Sequence, residues 1–284
     1  MKIEAFNYFD NEIPIKEYTN LYKKLNLSKS YPADIKRLEI VIKLLKKYKP
    51  KTIVDAGCGP GIPLIRIKEN GFNIYGYDKA KNMVLEARKN LKEYKYDEKL
   101  IFQDDFENPK NLKKNFFDCI IGLGAFYYSK NLKKTILNNK KKLAKNGRMI
   151  FSLRNRLFDI STLNNYSAKF LDNLYETKYL KKNWKNKYNN LRKSFSTRKI
   201  NLNKNIDEKN IKSFVHNPLT IASEMLKLGL KCEGIYFYHF HAFPPVFEEI
   251  DPLYFRKVSW KMENPTDWRG YLLASAFIID CKKI

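Results

Sequence analysis

The sequence predicts an α/β protein with a doubly wound, seven-stranded, mostly parallel sheet and a helical cap inserted late in the chain. Three observations carry that prediction. Between residues 33 and 153 short β-branched runs alternate with segments of helical apolar spacing, the runs end on glycines or acids, and the alternation stops at 155 and resumes near 216. Such alternation lays strands side by side in parallel and covers both faces with helices. At 284 residues, folding removes about 75% of the unfolded chain's surface from water, which suits one large core with additions.

Residues 33–48 carry apolar side chains at helical spacing, and Pro50 stops the helix. Residues 52–56 form a β-branched run that ends in Gly57-Cys58-Gly59-Pro60-Gly61, and 62–70 reads as helix up to Gly71. A second unit follows: strand 73–77 ending at Asp78, then helix 80–94 with Met83, Val84, Leu85, Ala87 and Leu91 apolar. Strand 100–103 runs into Asp104-Asp105, strand 117–121 into Gly122-Leu123-Gly124, and helix 132–144 leads to strand 148–153. The Lys-, Asn- and Tyr-rich stretch after residue 155 reads as a helical cap, and helix 218–228 and strands 231–238 and 270–281 complete the sheet. The expected organisation is therefore an N-terminal helical segment (1–50), a ligand-binding core (51–154), the cap (155–215), and the rest of the sheet (216–284) with a substrate loop at about 239–270.

The charge balance, 55 − 30 = +25, points first to nucleic acid or an anionic surface. However, 45 of the basic residues are Lys and only 10 are Arg, and Asn and Ile are also abundant, which is the imprint of A/T-rich coding. Arginine, the side chain that grips phosphate with two hydrogen bonds, is the scarce one, so a nucleic-acid partner is the second reading. Cys58, Cys119, Cys232 and Cys281 form no Cys-x-x-Cys pair, which predicts neither zinc nor a disulfide framework and fits a reducing cytoplasm. No window approaches the ~20 apolar residues of a membrane span, and the start lacks a secretory leader.

Asp55-Ala56-Gly57-Cys58-Gly59-Pro60-Gly61 lies directly after a strand and before a helix. Glycines there admit positive φ and let a bulky ligand lie against the backbone. Asp78, at the end of the next strand, is placed to accept two ribose hydroxyls with one carboxylate. A Gly-x-Gly-x-x-Gly loop would need glycine at Ile62, and a Walker loop would need Gly-Lys-Ser/Thr; neither is present.

At these residues the chain resembles the class I S-adenosylmethionine-dependent methyltransferases, over about residues 35–155 and the returning strands near 231–282. Residues 54–61 resemble the family's first motif, which implies that Gly57, Gly59 and Gly61 meet the methionine part of S-adenosyl-L-methionine and that Asp55, in the same motif, is also cofactor-binding. Residues 77–88 resemble the second, with Asp78 holding the ribose and Lys79 and Met83 in the same motif. Residues 103–106 match the third, which implies Asp105 at the adenine amino group and a backbone contact from Phe106, with Asp104 the alternative by one position. Residues 117–128 resemble the fourth, whose strand end at Gly122 faces both cofactor and acceptor. The resemblance implies a Rossmann-like fold, methyl transfer, and S-adenosyl-L-homocysteine as product.

His239 and His241 share one segment, so both can flank an acceptor, one as general base, and no third residue accompanies them to make a metal site. Tyr127 is a further catalytic candidate. Arg154 and Asn155 follow the fifth strand, where open α/β sheets bind ligands, and with His216 and Arg269 they are candidates for holding a carboxylate, phosphate or sugar. The loop 122–125 lacks the Asn/Asp-Pro-Pro-aromatic tetrad of nucleic-acid amino methylation, and no Pro precedes a Cys as in cytosine C5 methylation. The expectation is a small polar molecule, a sugar or other metabolite, methylated on oxygen or nitrogen. RNA methylation through the basic stretch 178–193 is the alternative, and a binding module without turnover is a third class.

Overall fold

The computed structural model describes residues 5–22, 26–175, 179–196 and 211–284. The N-terminal segment holds α1 (Ala5–Phe9), α2 (Glu12–Leu21) and α3 (Ala33–Tyr48). The core follows as β1 (Ile53–Ala56), α4 (Ile62–Glu69), β2 (Ile74–Asp78), α5 (Lys81–Glu93), β3 (Ile101–Gln103), β4 (Phe117–Gly122), α6 (Leu132–Lys140) and β5 (Leu143–Asn155). After β5 come α7 (Phe158–Ser161), α8 (Asn165–Leu174) and α9 (Lys182–Ser196), in the segment expected to form a cap. The chain then returns through β6 (Val215–His216), α10 (Ile221–Lys227), β7 (Leu230–Phe240), α11 (Pro252–Lys261), α12 (Gly270–Leu273) and β8 (Ala274–Lys283).

The strands form one sheet in the order β3-β2-β1-β4-β5-β8-β7, and the two-residue β6 makes an eighth member beside the end of β5. Strands β1 to β5 pair in parallel, whereas β8 runs antiparallel to both β5 and β7. Successive residues serve opposite faces, as a pleated strand requires. Ile53, Ile121, Ile150 and Ile278 pack with α3 and α4 on one side, and Val54, Ile120, Phe151 and Phe277 pack with α6 and α10 on the other. Burial of both faces explains why the strands read as near-continuous apolar runs.

Three expectations need correction. Helix α6 ends at Lys140, and residues 143–147 are the first part of a longer β5, which absorbs a register shift opposite Phe117 and Cys119 with Asn146 at φ 60°. The segment 270–281 begins with one helical turn, α12, before the strand starts at Ala274. The loop 239–270 contains α11, begun by the Asp251 side chain accepting the Tyr254 N–H and by Pro252 at the first turn. Residues 176–178 and 197–210 of the expected cap lie outside the described residues.

Candidate active site

Strand order reverses between β1 and β4, so the crevice at their carboxyl ends is where this architecture admits a ligand. Gly57, Gly59 and Gly61 line it at φ 78°, 52° and 75°, and the N–H groups of Gly57 and Cys58 donate to the Tyr77 carbonyl at 2.9 and 3.0 Å. The glycines differ in kind. A Cβ on Gly57 would lie 2.5 Å from Ala125 Cβ and one on Gly61 3.1 Å from Ala87 Cβ, whereas one on Gly59 meets nothing within 4 Å. Gly57 and Gly61 therefore allow elements to approach, and Gly59 leaves space. Gly122 also serves packing: the Phe126 ring fills the place of its side chain.

Asp78 accepts from the N–H groups of Gly59 and Ala80, each at 2.9 Å, so its carboxylate fixes the glycine loop. Burial pushes its carboxyl up, against those hydrogen bonds. Of the two neighbouring acids, Asp104 is consumed by the N–H groups of Asp105, Lys110 and Asn111, whereas Asp105 pairs with Lys79 at 2.9 Å. Phe106 packs on Phe126, and Met83 is buried against Ile15 of α2. The N-terminal segment is fastened over this corner, since the Asp10 carboxylate accepts the Asn82 N–H at 2.7 Å.

Beneath the loop lies a buried charge cluster. Asp55 is 1% exposed, and its Oδ1 has no hydrogen-bond partner among the described residues. Desolvation raises its carboxyl to about 7, although Arg37 pulls it down. Arg37, on α3, is 5% exposed; its guanidinium meets Asp34 at 2.5 Å and the Tyr22 hydroxyl at 2.6 Å, and its Nε is unpartnered among the described residues. Gly124, at φ 93°, makes room for it. Arg37 is absent from the motif reading, yet a signal existed: it sits on the apolar stripe of α3 with Val41, Leu44 and Leu45, where a charge needs a reason.

At the ends of β5 and β7 the structure brings Tyr127, Arg154, His239 and His241 together. The Arg154 guanidinium lies over the Tyr127 ring at 4.9 Å, and the two imidazoles stand 4.7 Å apart. His239 has φ 62° inside β7, so the pair does not arise from a regular extended segment. Burial holds His239 well below the usual imidazole range, helped by His241 and Arg154, and lowers His241 to about 4. His241 Nδ1 is 3.1 Å from the His239 carbonyl oxygen, which only accepts, so Nδ1 carries the proton and Nε2 is the basic nitrogen. Tyr31 stacks on His239, and Phe158 and Phe255 flank His241.

The other acceptor-side candidates are placed differently. Asn155 is 2% exposed and saturated: its amide donates to the carbonyls of Gly270, Tyr271 and Ala274, and its oxygen accepts from Leu157, so it is a strut at the strand end. Arg269 is exposed and committed to Asp267 at 2.6 Å. His216, on β6, has its Nε2 buried without a partner among the described residues, and burial lowers its pKa. Among the described residues no cluster of metal-ligating side chains occurs, and no helix is long and apolar enough to cross a membrane.

Residues 30–232 match a protein family described as a methyltransferase domain. A Haemophilus influenzae protein, named only as uncharacterized, is 28% identical over 149 residues, which cover 50% of this chain and 59% of that protein. In fold, the chain is similar to magnesium protoporphyrin IX methyltransferase from Synechocystis PCC 6803 with bound SAH, at a TM-score of 0.58 and 14% identity over 99% of this chain and 98% of that one. It is also similar to a Thermotoga maritima methyltransferase described as a possible histamine N-methyltransferase, at a TM-score of 0.56 and 16% identity over 99% and 100%. With the family match spanning most of its length, the chain belongs to the family of methyltransferase domains.

Proposed function

We propose that this enzyme methylates an oxygen or nitrogen of a small polar acceptor, a sugar or another metabolite, with His239 or His241 as general base. The observation that carries this reading is the pair of uncharged, half-buried imidazoles beside Arg154 and Tyr127. A neutral imidazole at neutral pH has a lone pair free to take a proton from a hydroxyl or ammonium. Arg154 supplies a positive group for a carboxylate, phosphate or sugar oxygen. Tyr31, Phe158 and Phe255 crowd the histidines, which suits a compact acceptor better than a polynucleotide.

Bound S-adenosylmethionine supplies a methyl group already activated on a sulfonium. The residues present fit it. Asp55 Oδ1 and Arg37 Nε, a buried acceptor and a buried donor without partners among the described residues, match the ammonium and carboxylate of its methionine end. The open space at Gly59 would admit its bulk, Asp78 has lone pairs left for ribose hydroxyls, and Asp105 and Phe106, just past the end of β3, would be the residues to meet its adenine. With both reactants aligned, positioning is worth roughly 7–11 kcal/mol of the barrier, so the base adds to catalysis and does not carry it alone.

Gly59→Ala and Gly57→Ala separate the two uses of glycine. Gly59→Ala is expected to cost about 1 kcal/mol of stability for its left-handed backbone while weakening cofactor binding, because its methyl enters the open space. Gly57→Ala adds a collision with Ala125 and is expected to lose about 3 kcal/mol or more of stability. Thermal unfolding and calorimetric titration with S-adenosylmethionine distinguish these outcomes.

One observation favours a second reading. Helix α9 exposes Trp184 among Lys182, Lys185 and Lys187 with no acidic residue, a surface suited to stacking and phosphate contact in RNA. Transfer of labelled methyl groups into a host extract, separated into small-molecule, glycan or lipid, and RNA fractions, tests both. Label in small molecules or glycans supports the first reading, and label confined to RNA replaces it with the second.

A further inference from the structure

The imidazole pair depends on a kink that β7 does not make by itself. Tyr238 and Phe240 keep their partners Ala276 and Ala274 on β8, but His239 between them turns to φ 62°. That conformation is uncommon for a residue with a side chain and persists only where surroundings over-determine it. Past the kink the His241 N–H donates to the Leu273 carbonyl at 2.8 Å, and at the kink itself the partner is a carboxylate. Glu263, in the turn after α11, accepts the Phe240 N–H at 3.0 Å and the His239 N–H beside it. Two successive N–H groups converging on one anion form a nest that stabilises the kink between them. Tyr31 completes the arrangement: its hydroxyl donates to the same carboxylate, and its ring lies on the His239 ring at 4.7 Å and 19°. Trp260, at the end of α11, packs edge-on against Tyr31 at 6.1 Å, and the Lys36 ammonium covers Trp260 at 4.1 Å.

We infer that Glu263 and Tyr31 are positioning residues for His239: Glu263 holds the left-handed backbone and Tyr31 the ring plane, so that the imidazole faces the acceptor. This rests on the reading of His239 and His241 as acceptor-side residues. It also makes the segment before α3 part of the acceptor site, although it lies more than two hundred residues from the histidines it orients.

The test uses the full chain with labelled histidine. The three imidazole signals are assigned by single His→Asn variants and followed by NMR at fixed pH, beside the rate of labelled-methyl incorporation into the small-molecule extract fraction. Glu263→Ala is expected to move the His239 and His241 signals, leave His216 in place, and lower the rate about tenfold to hundredfold at unchanged S-adenosylmethionine affinity. Glu263→Gln keeps an acceptor oxygen and is expected to recover part of both, and it carries the test if Glu263→Ala does not fold. Tyr31→Phe keeps the stack and should shift only His239. Unmoved His239 signals in both Glu263 variants would overturn the inference. If His239→Asn keeps full turnover while Glu263→Ala still moves the His239 signal, the positioning role stands and the base reading fails.

Discussion

Arg37→Met is expected to lower the affinity for S-adenosylmethionine by about thirtyfold to a few thousandfold, since truncating one partner of a buried, hydrogen-bonded charge pair typically costs 2–5 kcal/mol. The same change strands Asp34 and Asp55, so the unliganded protein should also unfold more easily, by about 3–5 kcal/mol if neither acid relaxes. The two effects separate in the double variant. Arg37→Met with Asp55→Asn removes the more deeply buried of the two stranded acids and should regain part of the stability, but none of the affinity. Proton linkage gives a second check. Burial raises the folded Asp55 carboxyl from 3.8 to about 7, so below pH 7 the free protein holds a proton there that an incoming ammonium expels. Affinity should therefore rise with pH up to about 7 and then level off, with proton release on binding below that point. Calorimetry in buffers of different ionisation enthalpy measures both; wild-type affinity in Arg37→Met would remove Arg37 from the cofactor site.

The second large effect is on turnover. His239→Asn, or His241→Asn, is expected to lower methyl transfer by about 10²–10⁴-fold with cofactor affinity unchanged, depending on which imidazole takes the proton. Asn is the substitution to use at 239 because it tolerates positive φ, whereas Ala would add backbone strain and confuse the result. The pH dependence has a definite sign. His241 has a folded pKa of about 4, below the ordinary 6.5, so its contribution to stability is complete above pH 6.5 and is lost as pH falls toward 4. His241→Asn should flatten that part of the stability curve. If both variants turn over at the wild-type rate, the base lies elsewhere.

The glycine loop with its positive φ values and Asp78 at the end of its strand were legible because each is a local feature, a turn chemistry and a strand end. Arg37 was not, because its meaning lies in Tyr22, Asp55 and Gly124, which only the fold assembles. Glu263 escaped for the same reason, since nothing near it in sequence announces two N–H groups from β7. Asn155 misled in the opposite direction: a polar residue at the ligand end of a strand spends its whole side chain on neighbouring backbone. The early half of β5 hid behind Asn146-Gly147, a turn signal that the strand absorbs as an irregularity. Helix α11 did carry a start signal, Asp251-Pro252, inside a segment whose proline and aromatic content reads as loop.

Strand β8 follows both β5 and β7 in the chain, yet it lies between them. Along most of β5 one edge therefore has no partner until β8 inserts, and β7 joins the sheet only through β8. During synthesis the nascent chain must hold an apolar strand edge open while more than a hundred further residues emerge, which is the situation in which strand edges pair with the wrong chain. The sheet is thus completed by its most sequence-distant contacts, and the non-local insertion of β8 is expected to form more slowly than the local helix-strand units that build the crevice at β1 and β4.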